Sequence, residues 1–299
     1  MKGIIAAGGT GSRLYPLTYT TSKHLQSVFD KPLIYYPLTT LIAFGINEIC
    51  IVSNETEIDN FIKLLGNGKK FGCKFHYAVQ ESPKGIPEVF SLSRPYIGQE
   101  EVTLILGDNI ISSGGDLSNS FHSNVVDGAT IFAIKVKDAS RFGVVEFDFQ
   151  KNILSLEEKP KFPKSDYAVT GIYKYDATVF DYVQDLKPSK RGELEITDLN
   201  NIYLKNKKLK MEILKRGSVW FDAGTPQSLF EASTFIEVIE KQTGVKIGCI
   251  EEATFTRRNI NLTQLGLLID KMPLCDYKSY LKQFFKDQIS LDLAIAREA

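Results

Sequence analysis

The sequence predicts an α/β fold: a mixed, mainly parallel central sheet flanked by helices, followed by a helical region at the C-terminal side. Three observations predict it. In the first half, short apolar runs alternate with longer amphipathic stretches. In the middle, strand-like runs follow one another with little helix between them. From Pro226 onward, apolar residues fall at the three-and-four spacing of amphipathic helices.

Taken in order, KGIIAA (2–7), EICIVS (48–53), FHYAVQ (75–80) and VTLILG (102–107) read as buried strands. Helix-like segments lie near 37–44, 56–65 and 86–93. Strands separated by helices pair in parallel, because a parallel partner needs a long crossover. ATIFAIKV (129–136), GVVEFD (143–148), ILSLEE (153–158) and YAVTGIYKYD (167–176) then form an antiparallel or mixed section. RGELEITDLNNIYLKN (191–206) reads as helix and MEILKR (211–216) as strand. SLFEASTFIEVIEKQ (228–242) is an amphipathic helix, and 261–271 and 276–286 read as two shorter ones. With no internal repeat or long linker, the expected division is a catalytic domain over 1–225 and a helical region over 226–289. Residues 290–299 form an unmatched tail.

The 299 residues are enough for one large domain or two fused lobes. Basic and acidic residues balance at 36 each, so net charge does not point to nucleic acid or an anionic membrane. An anionic ligand must be held by a few local cations. Cys50, Cys73, Cys249 and Cys275 are too far apart in sequence for a CxxC motif, which fits a reducing cytoplasm. The apolar stretch at the N-terminus is too short for a signal peptide. The longest apolar run, Leu33 to Ile46, falls short of the roughly 20 residues that span a bilayer.

The densest motif is the loop Gly8-Gly9-Thr10-Gly11-Ser12-Arg13, placed directly after the first strand. Glycines there let backbone N–H groups approach phosphate oxygens, and Arg13 and Lys23 add charge. On the loop alone, a phosphate cradle and a plain glycine turn are equally open. It is not a Walker A loop, because no Lys-Ser/Thr pair follows. It is not a dinucleotide fingerprint either. The third glycine is replaced by Leu14, and the second strand ends in Ser53-Asn54 rather than an acid.

Further motifs follow in a fixed order: SKHL (22–25), DKPLIYYPL (30–38), LGDN (106–109), RFGVVEFD (141–148), SLEEKP (155–160), YAVTGIY (167–173), KPSKRGELEITDLN (187–200) and WFDAGT (220–225). With GGTGSRLYPLT (8–18), they make the chain resemble the sugar-phosphate nucleotidyltransferases from Met1 to about Ile289. The resemblance implies a Rossmann-like nucleotidyltransferase fold and a homo-oligomer, usually a tetramer. It implies transfer of a deoxythymidylyl group from dTTP to glucose 1-phosphate, with another sugar 1-phosphate, UTP or CTP as alternatives. A non-catalytic paralogue that only binds is the reading from a different class.

By the same resemblance, Asp108 and Asp222 hold Mg²⁺ against the triphosphate, a setting suited to hard oxygen ligands. Gly8, Gly9, Thr10, Gly11, Ser12 and Arg13 bind the nucleotide phosphates, while Gln80 and the backbone of Gly85 read the base. Asn109, Gly143, Glu158, Lys159, Val169, Gly171, Tyr173 and Arg191 form the sugar-phosphate site. Arg13, Lys23, Asp108 and Lys159 carry catalysis by positioning and charge stabilisation. None of His24, His76 and His122 is needed as a base, because a phosphate monoester is already an anionic nucleophile.

The chain also departs from the family pattern. After Ser-Lys the pattern is Gln-Leu-Leu-Pro, and here it is His24-Leu25-Gln26-Ser27. After Gln80 the pattern Pro-Ser-Pro-Asp-Gly-Leu-Ala-Gln-Ala is replaced by Glu81-Ser82-Pro83-Lys84-Gly85-Ile86-Pro87-Glu88-Val89, which changes the charge of the base-pocket rim. Ile111-Ser112-Ser113-Gly114-Gly115 stands where a Phe-Tyr-Gly-His segment helps form a feedback site. The expectation is weak or altered end-product inhibition.

Overall fold

Strand β1 (Lys2–Ala6) shows how the central sheet is built. Successive side chains point to opposite faces, and both Ile4 and Ile5 are fully buried. Ile4 packs with Cys50, Val52 and Leu104 on one face, and Ile5 with Ile49, Ile51 and Ile105 on the other. A strand covered on both faces must be apolar throughout, which is why these runs show no polar alternation. The computed structural model describes residues 1–112 and 127–298, with side chains described to Leu291. His122 and Ser113-Gly114-Gly115, with much of the expected feedback segment, lie outside the described residues.

A small ribbon of β2 (Ser27–Val28) and β3 (Lys31–Pro32) precedes helix α1 (Tyr35–Ala43). Strands β4 (Glu48–Ser53) and β6 (Val102–Leu106) flank β1 in parallel, with β5 (Lys74–Val79) outside β4. Helix α2 (Glu55–Leu65) is amphipathic, with Glu55 and Glu57 in its first turn, Lys63 in its last and Gly66 ending it at positive φ. α1 and α2 cover the Ile5 face through Leu38, Leu41, Ile42, Phe61 and Leu65. Helix α3 (Glu88–Ile97) covers the Ile4 face with Val89, Phe90 and Ile97.

The antiparallel section comprises β7 (Asn109–Ser112), β8 (Ala129–Lys135), β9 (Gly143–Phe147), β10 (Ile153–Glu158) and β11 (Tyr167–Tyr175). Short helix α4 (Val179–Tyr182) and α5 (Ile196–Lys205) follow, then β12 (Leu209–Ile213) and β13 (Val219–Asp222). Among the described residues, the main sheet has nine strands, with the path β10-β9-β11-β6-β1-β4-β5 and with β8 and β12 joined through β11. β11 is the pivot. Ile172 to Tyr175 pair with β6, whereas Ala168 pairs with Val144 of β9. Along β8, its register shifts between Val169 and Tyr173. One flank of β11 therefore changes partner, and a cleft opens where β6 ends and β9 begins. Ligands gather at such switch points in open sheets.

The C-terminal helices are α6 (Pro226–Thr243), α7 (Ile250–Thr256), α8 (Leu262–Asp270) and α9 (Asp276–Glu298). α6 starts with a Thr225–Ser228 capping box and Pro226 in its first turn. It packs Leu229, Ala232 and Ile236 against Val28, Leu33, Ile110 and Ala223. A buried charge cluster adds to this contact. Glu240 accepts from Lys31 at 2.9 Å and Lys246 at 3.0 Å, and Asp30 pairs with both lysines.

Some expectations need correction. Residues 191–195 are not helical, because Gly192 takes a φ of 79° and Glu195 stays extended as the cap of α5. The strand expected at 211–216 begins at Leu209, where pairing to Ala129 sets its register. The helix expected at 276–286 continues to Glu298. The pair β7–β13 and helix α7 were not foreseen. Segments this short carry too few positions for a period to show.

Candidate active site

The cleft at the β6–β9 switch encloses about 380 Å³ and collects most of the expected residues. Gly8, Gly9, Arg13, Lys23, Gln80 and Gly85 wall it from the β1 side, with Asp108 and Asp222 in the same wall. Asn109, Gly143, Glu158, Lys159, Val169, Gly171 and Tyr173 wall it from the β9–β11 side. Thr10, Gly11 and Ser12 line an adjoining recess of about 220 Å³, which shares Gly9, Arg13 and Lys23 with the cleft.

The glycine loop is held open by its neighbours. Gly9 has φ 95° and Gly11 φ 60°, both readily reached only by glycine. The Asn54 amide clamps Gly9, accepting from its N–H at 3.3 Å and donating to its carbonyl at 3.0 Å. Thr18 Oγ1 donates to the Gly11 carbonyl at 2.9 Å. Among the described residues, the N–H groups of Gly8, Thr10 and Gly11 meet no acceptor. The loop therefore presents unused donors beside Arg13, the arrangement that binds phosphate oxygens.

The two aspartates are brought together by the antiparallel pairing of β7 and β13. Asp222 lies opposite Asn109, and the Ala223 N–H donates to the Asp108 carbonyl at 2.9 Å. Lys23 Nζ meets Asp108 Oδ2 at 2.5 Å, and Asn109 Nδ2 donates to Asp108 Oδ1 at 2.9 Å. Burial would raise the Asp108 carboxyl, but Lys23 and the hydrogen bonds outweigh it and hold it below the usual carboxylate range. Asp222 goes the other way. Burial raises it first and the charge of Asp108 second, against the pull of Arg13, Lys23 and Arg141. Among the described residues no hydrogen-bond donor reaches the Asp222 carboxylate. Two neighbouring carboxylates, one without a donor, fit a divalent cation whose remaining ligands are phosphate and water oxygens.

On the opposite wall, Glu158 Oε2 accepts from Thr197 Oγ1 at 2.7 Å, and its other oxygen lies 3.4 Å from Lys159 Nζ. Lys159 has φ 46°, a left-handed conformation uncommon for a side-chain-bearing residue. Strain of this kind collects where a side chain must be aimed. Tyr173 is buried, and burial followed by the charge of Glu158 pushes its phenol up, so it stays neutral.

Two expected residues stand differently from the reading of the sequence. Arg191 does not line the cleft. Its guanidinium is held by the Glu195 carboxylate at 2.7 to 3.0 Å and reaches Glu158 only at 4.0 Å. Asn109 lines the cleft, but its amide serves the protein: Oδ1 accepts from Gly171 N–H at 2.9 Å and from Trp220 Nε1 at 2.5 Å. His24 is buried, and burial with the Lys23 charge lowers it to about 3, so it is neutral and no proton store at neutral pH.

Sequence reasoning gave no role to Asn54, Arg141, Phe142, Thr197 or Trp220. Arg141, Phe142 and Trp220 also wall the cleft, and the rings of Phe142 and Trp220 lie 4.8 Å apart. All but Asn54 sit inside the recurring motifs, which was the available signal. Asn54 follows the strand end at Ser53 and had none. Among the described residues, no helix is long and apolar enough to cross a membrane.

The comparisons agree with the geometry. A family model described as nucleotidyl transferase matches residues 2–238. A glucose-1-phosphate thymidylyltransferase of Neisseria meningitidis is 43% identical over 288 residues, covering 96% of this chain and 100% of the relative. One from Mycolicibacterium smegmatis is 45% identical over 283 residues, covering 95% and 98%. A crystal structure of a Bacillus anthracis protein assigned as the same enzyme, in complex with a sucrose, superposes with TM-score 0.73 at 45% identity. It covers 79% of this chain and 94% of that one. A UDP-glucose pyrophosphorylase bound to UDP-glucose superposes with TM-score 0.71 at 24% identity, covering 80% and 98%, a likeness of fold alone.

Proposed function

The chain belongs to the nucleotidyl transferase family, and we propose that it transfers a deoxythymidylyl group from dTTP to glucose 1-phosphate, giving dTDP-glucose and pyrophosphate. One observation carries this reading. A single cleft joins the glycine loop, Arg13, Lys23, Asp108 and Asp222 to Glu158 and Lys159 across the sheet switch. That is room and charge for a triphosphate on one side and a sugar phosphate on the other.

In this reading, the loop amides and Arg13 hold the triphosphate, and Gln80 with the Gly85 backbone meets the base. Lys159 neutralises the sugar phosphate, and Glu158, pinned by Thr197, accepts from sugar hydroxyls. Gly143, Val169, Gly171 and Tyr173 shape the sugar wall. A phosphate oxygen of glucose 1-phosphate attacks the α-phosphorus in line. The bond to the bridging β-phosphate oxygen breaks, and pyrophosphate leaves with the electron pair. Mg²⁺ held by Asp108 and Asp222 would supply charge neutralisation along the triphosphate. Lys23 and Arg13 add fixed positive charge, and no protein base is required. The reaction belongs in the cytoplasm, and the working form is a homo-oligomer, a tetramer by the same resemblance.

The test is pyrophosphate release from a panel of nucleoside triphosphates and sugar 1-phosphates. Turnover highest with dTTP and glucose 1-phosphate is expected. A different preferred pair would assign another substrate to the same chemistry, and no release from any pair would overturn the reading in favour of a binding protein. Asp108→Asn should lower turnover about a hundredfold or more.

A further inference from the structure

The base end of the cleft contains a contact that the reading above does not use. Gln80 is buried, and its amide Nε2 donates to Glu88 Oε2 at 2.7 Å. Glu88 opens helix α3, and its side chain is only 17% exposed. Its other oxygen lies 3.6 Å from Lys84 Nζ on the rim. Gln80 Oε1 is turned the opposite way, over Gly8, where any added Cβ would collide with it. Gln80, Gly8 and Gly85 all line the cleft, whereas Glu88 does not.

A glutamine amide can present either a donor or an acceptor by turning over. A carboxylate has only acceptors to offer. Turning Gln80 over would set its Oε1 against Glu88 Oε2, two oxygens without a hydrogen between them. We infer that Glu88 is a specificity-positioning residue: by accepting from Gln80 it fixes the Gln80 oxygen as the group offered to the base, which selects a base with a ring N–H, thymine or uracil, over cytosine. The inference rests on the proposed role of Gln80 at the base. Thymine and uracil carry N3–H at the ring position where cytosine carries a bare lone pair. A fixed acceptor meets the first with a hydrogen bond and the second with repulsion.

Glutamine in place of Glu88 would not hold the amide in the same way. A glutamine there can donate or accept, so it leaves the Gln80 amide free to take either orientation. The carboxylate removes that freedom.

The experiment measures kcat/KM for dTTP and dCTP with glucose 1-phosphate in the full-length enzyme and in Glu88→Gln and Gln80→Ala. Glu88→Gln keeps size and the helix start, so the fold is retained. The dTTP-to-dCTP ratio should fall about tenfold in Glu88→Gln, roughly one hydrogen bond of discrimination. KM for glucose 1-phosphate should not move, and a structural defect would shift it together with the ratio. A fall in the ratio for Gln80→Ala but none for Glu88→Gln would overturn the role of Glu88 alone. An unchanged ratio in both variants would overturn the role of Gln80 at the base, and the inference with it. Unchanged melting temperature in Glu88→Gln separates either outcome from unfolding.

Discussion

At the scale of single residues, the site stores an electrostatic conflict. Asp108 has Lys23 and the Asn109 amide, whereas among the described residues Asp222 faces Asp108 without a donor of its own. The Asp222 carboxyl is raised in the fold, by burial first and Asp108 second. A raised group contributes stability when protonated, below its unfolded pKa, and loses that contribution as pH rises through the folded value. At neutral pH the Asp222 charge is therefore a cost to the ligand-free protein. Asp222→Asn should raise the melting temperature near pH 7, with the gain shrinking toward about pH 4, while turnover drops about a hundredfold. Parallel melting curves and pyrophosphate assays across that range check both arms. A variant less stable than the parent at neutral pH would refute the conflict. The residue scale was also where the sequence spoke least evenly. Asp108 and Asp222 stood out in LGDN and WFDAGT, but nothing near Asn54 announced that its amide would clamp Gly9.

At the scale of elements, β11 decides where the cleft lies. It serves β6 with one half and β9 with the other, and its register along β8 shifts between Val169 and Tyr173. The Asn109 amide fills the space this leaves. It binds Gly171 N–H, Trp220 and Asp108 at once, tying the irregular strand to the β7–β13 pair and to the carboxylate. Gly171 is glycine for that reason, because an added Cβ would fall 2.5 Å from Asn109 Oδ1 and 2.6 Å from its Cγ. Gly171→Ala should cost about 1–3 kcal/mol, as overpacked sites do. It should also lower turnover, because the displaced amide no longer orients Asp108. Denaturant melts together with steady-state rates test this, and wild-type stability would show that the strand can absorb the methyl. The strand itself was legible as YAVTGIYKYD. Its shift in register was not, because a bulge depends on what lies on either side of the strand.

At the scale of the whole molecule, helix α6 is joined to the β2–β3 ribbon and the β7–β13 pair by apolar packing and by the cluster of Asp30, Lys31, Glu240 and Lys246. Lys31 is 3% exposed and Glu240 8%, so neither charge can turn to water without the helix moving. Burial works to raise the Asp30 carboxyl, but hydrogen bonds from Lys246 and Lys31 prevail and lower it. Its contribution is therefore present above the ordinary carboxylate range and is lost as pH falls through the lowered value. Removing one partner of such a cluster leaves buried charge uncompensated. Glu240→Ala should destabilise by about 3–5 kcal/mol, read as a lower urea midpoint with an unchanged slope. Little change in the midpoint would mean that water reaches both lysines.

The sequence by itself determined the layers and the chemical parts. Apolar runs of strand length separated by amphipathic helices leave few ways to bury both faces of a sheet, so the α/β class followed directly. The glycine cluster after the first strand left a phosphate cradle open, and the resemblance carried by the ordered motifs implied roles for Lys23, Asp108, Lys159 and Asp222. Only the tertiary structure decided which parts meet. Asp222 reaches Asp108 through four residues of pairing between β7 and β13, too short a pattern to read locally. Arg191 is held by Glu195 across the turn at Gly192, and its guanidinium does not line the cleft. The orientation of the Gln80 amide waited on Glu88, a residue on another element. Local sequence fixes what a side chain can offer, whereas its partner and direction depend on contacts that only the folded chain makes.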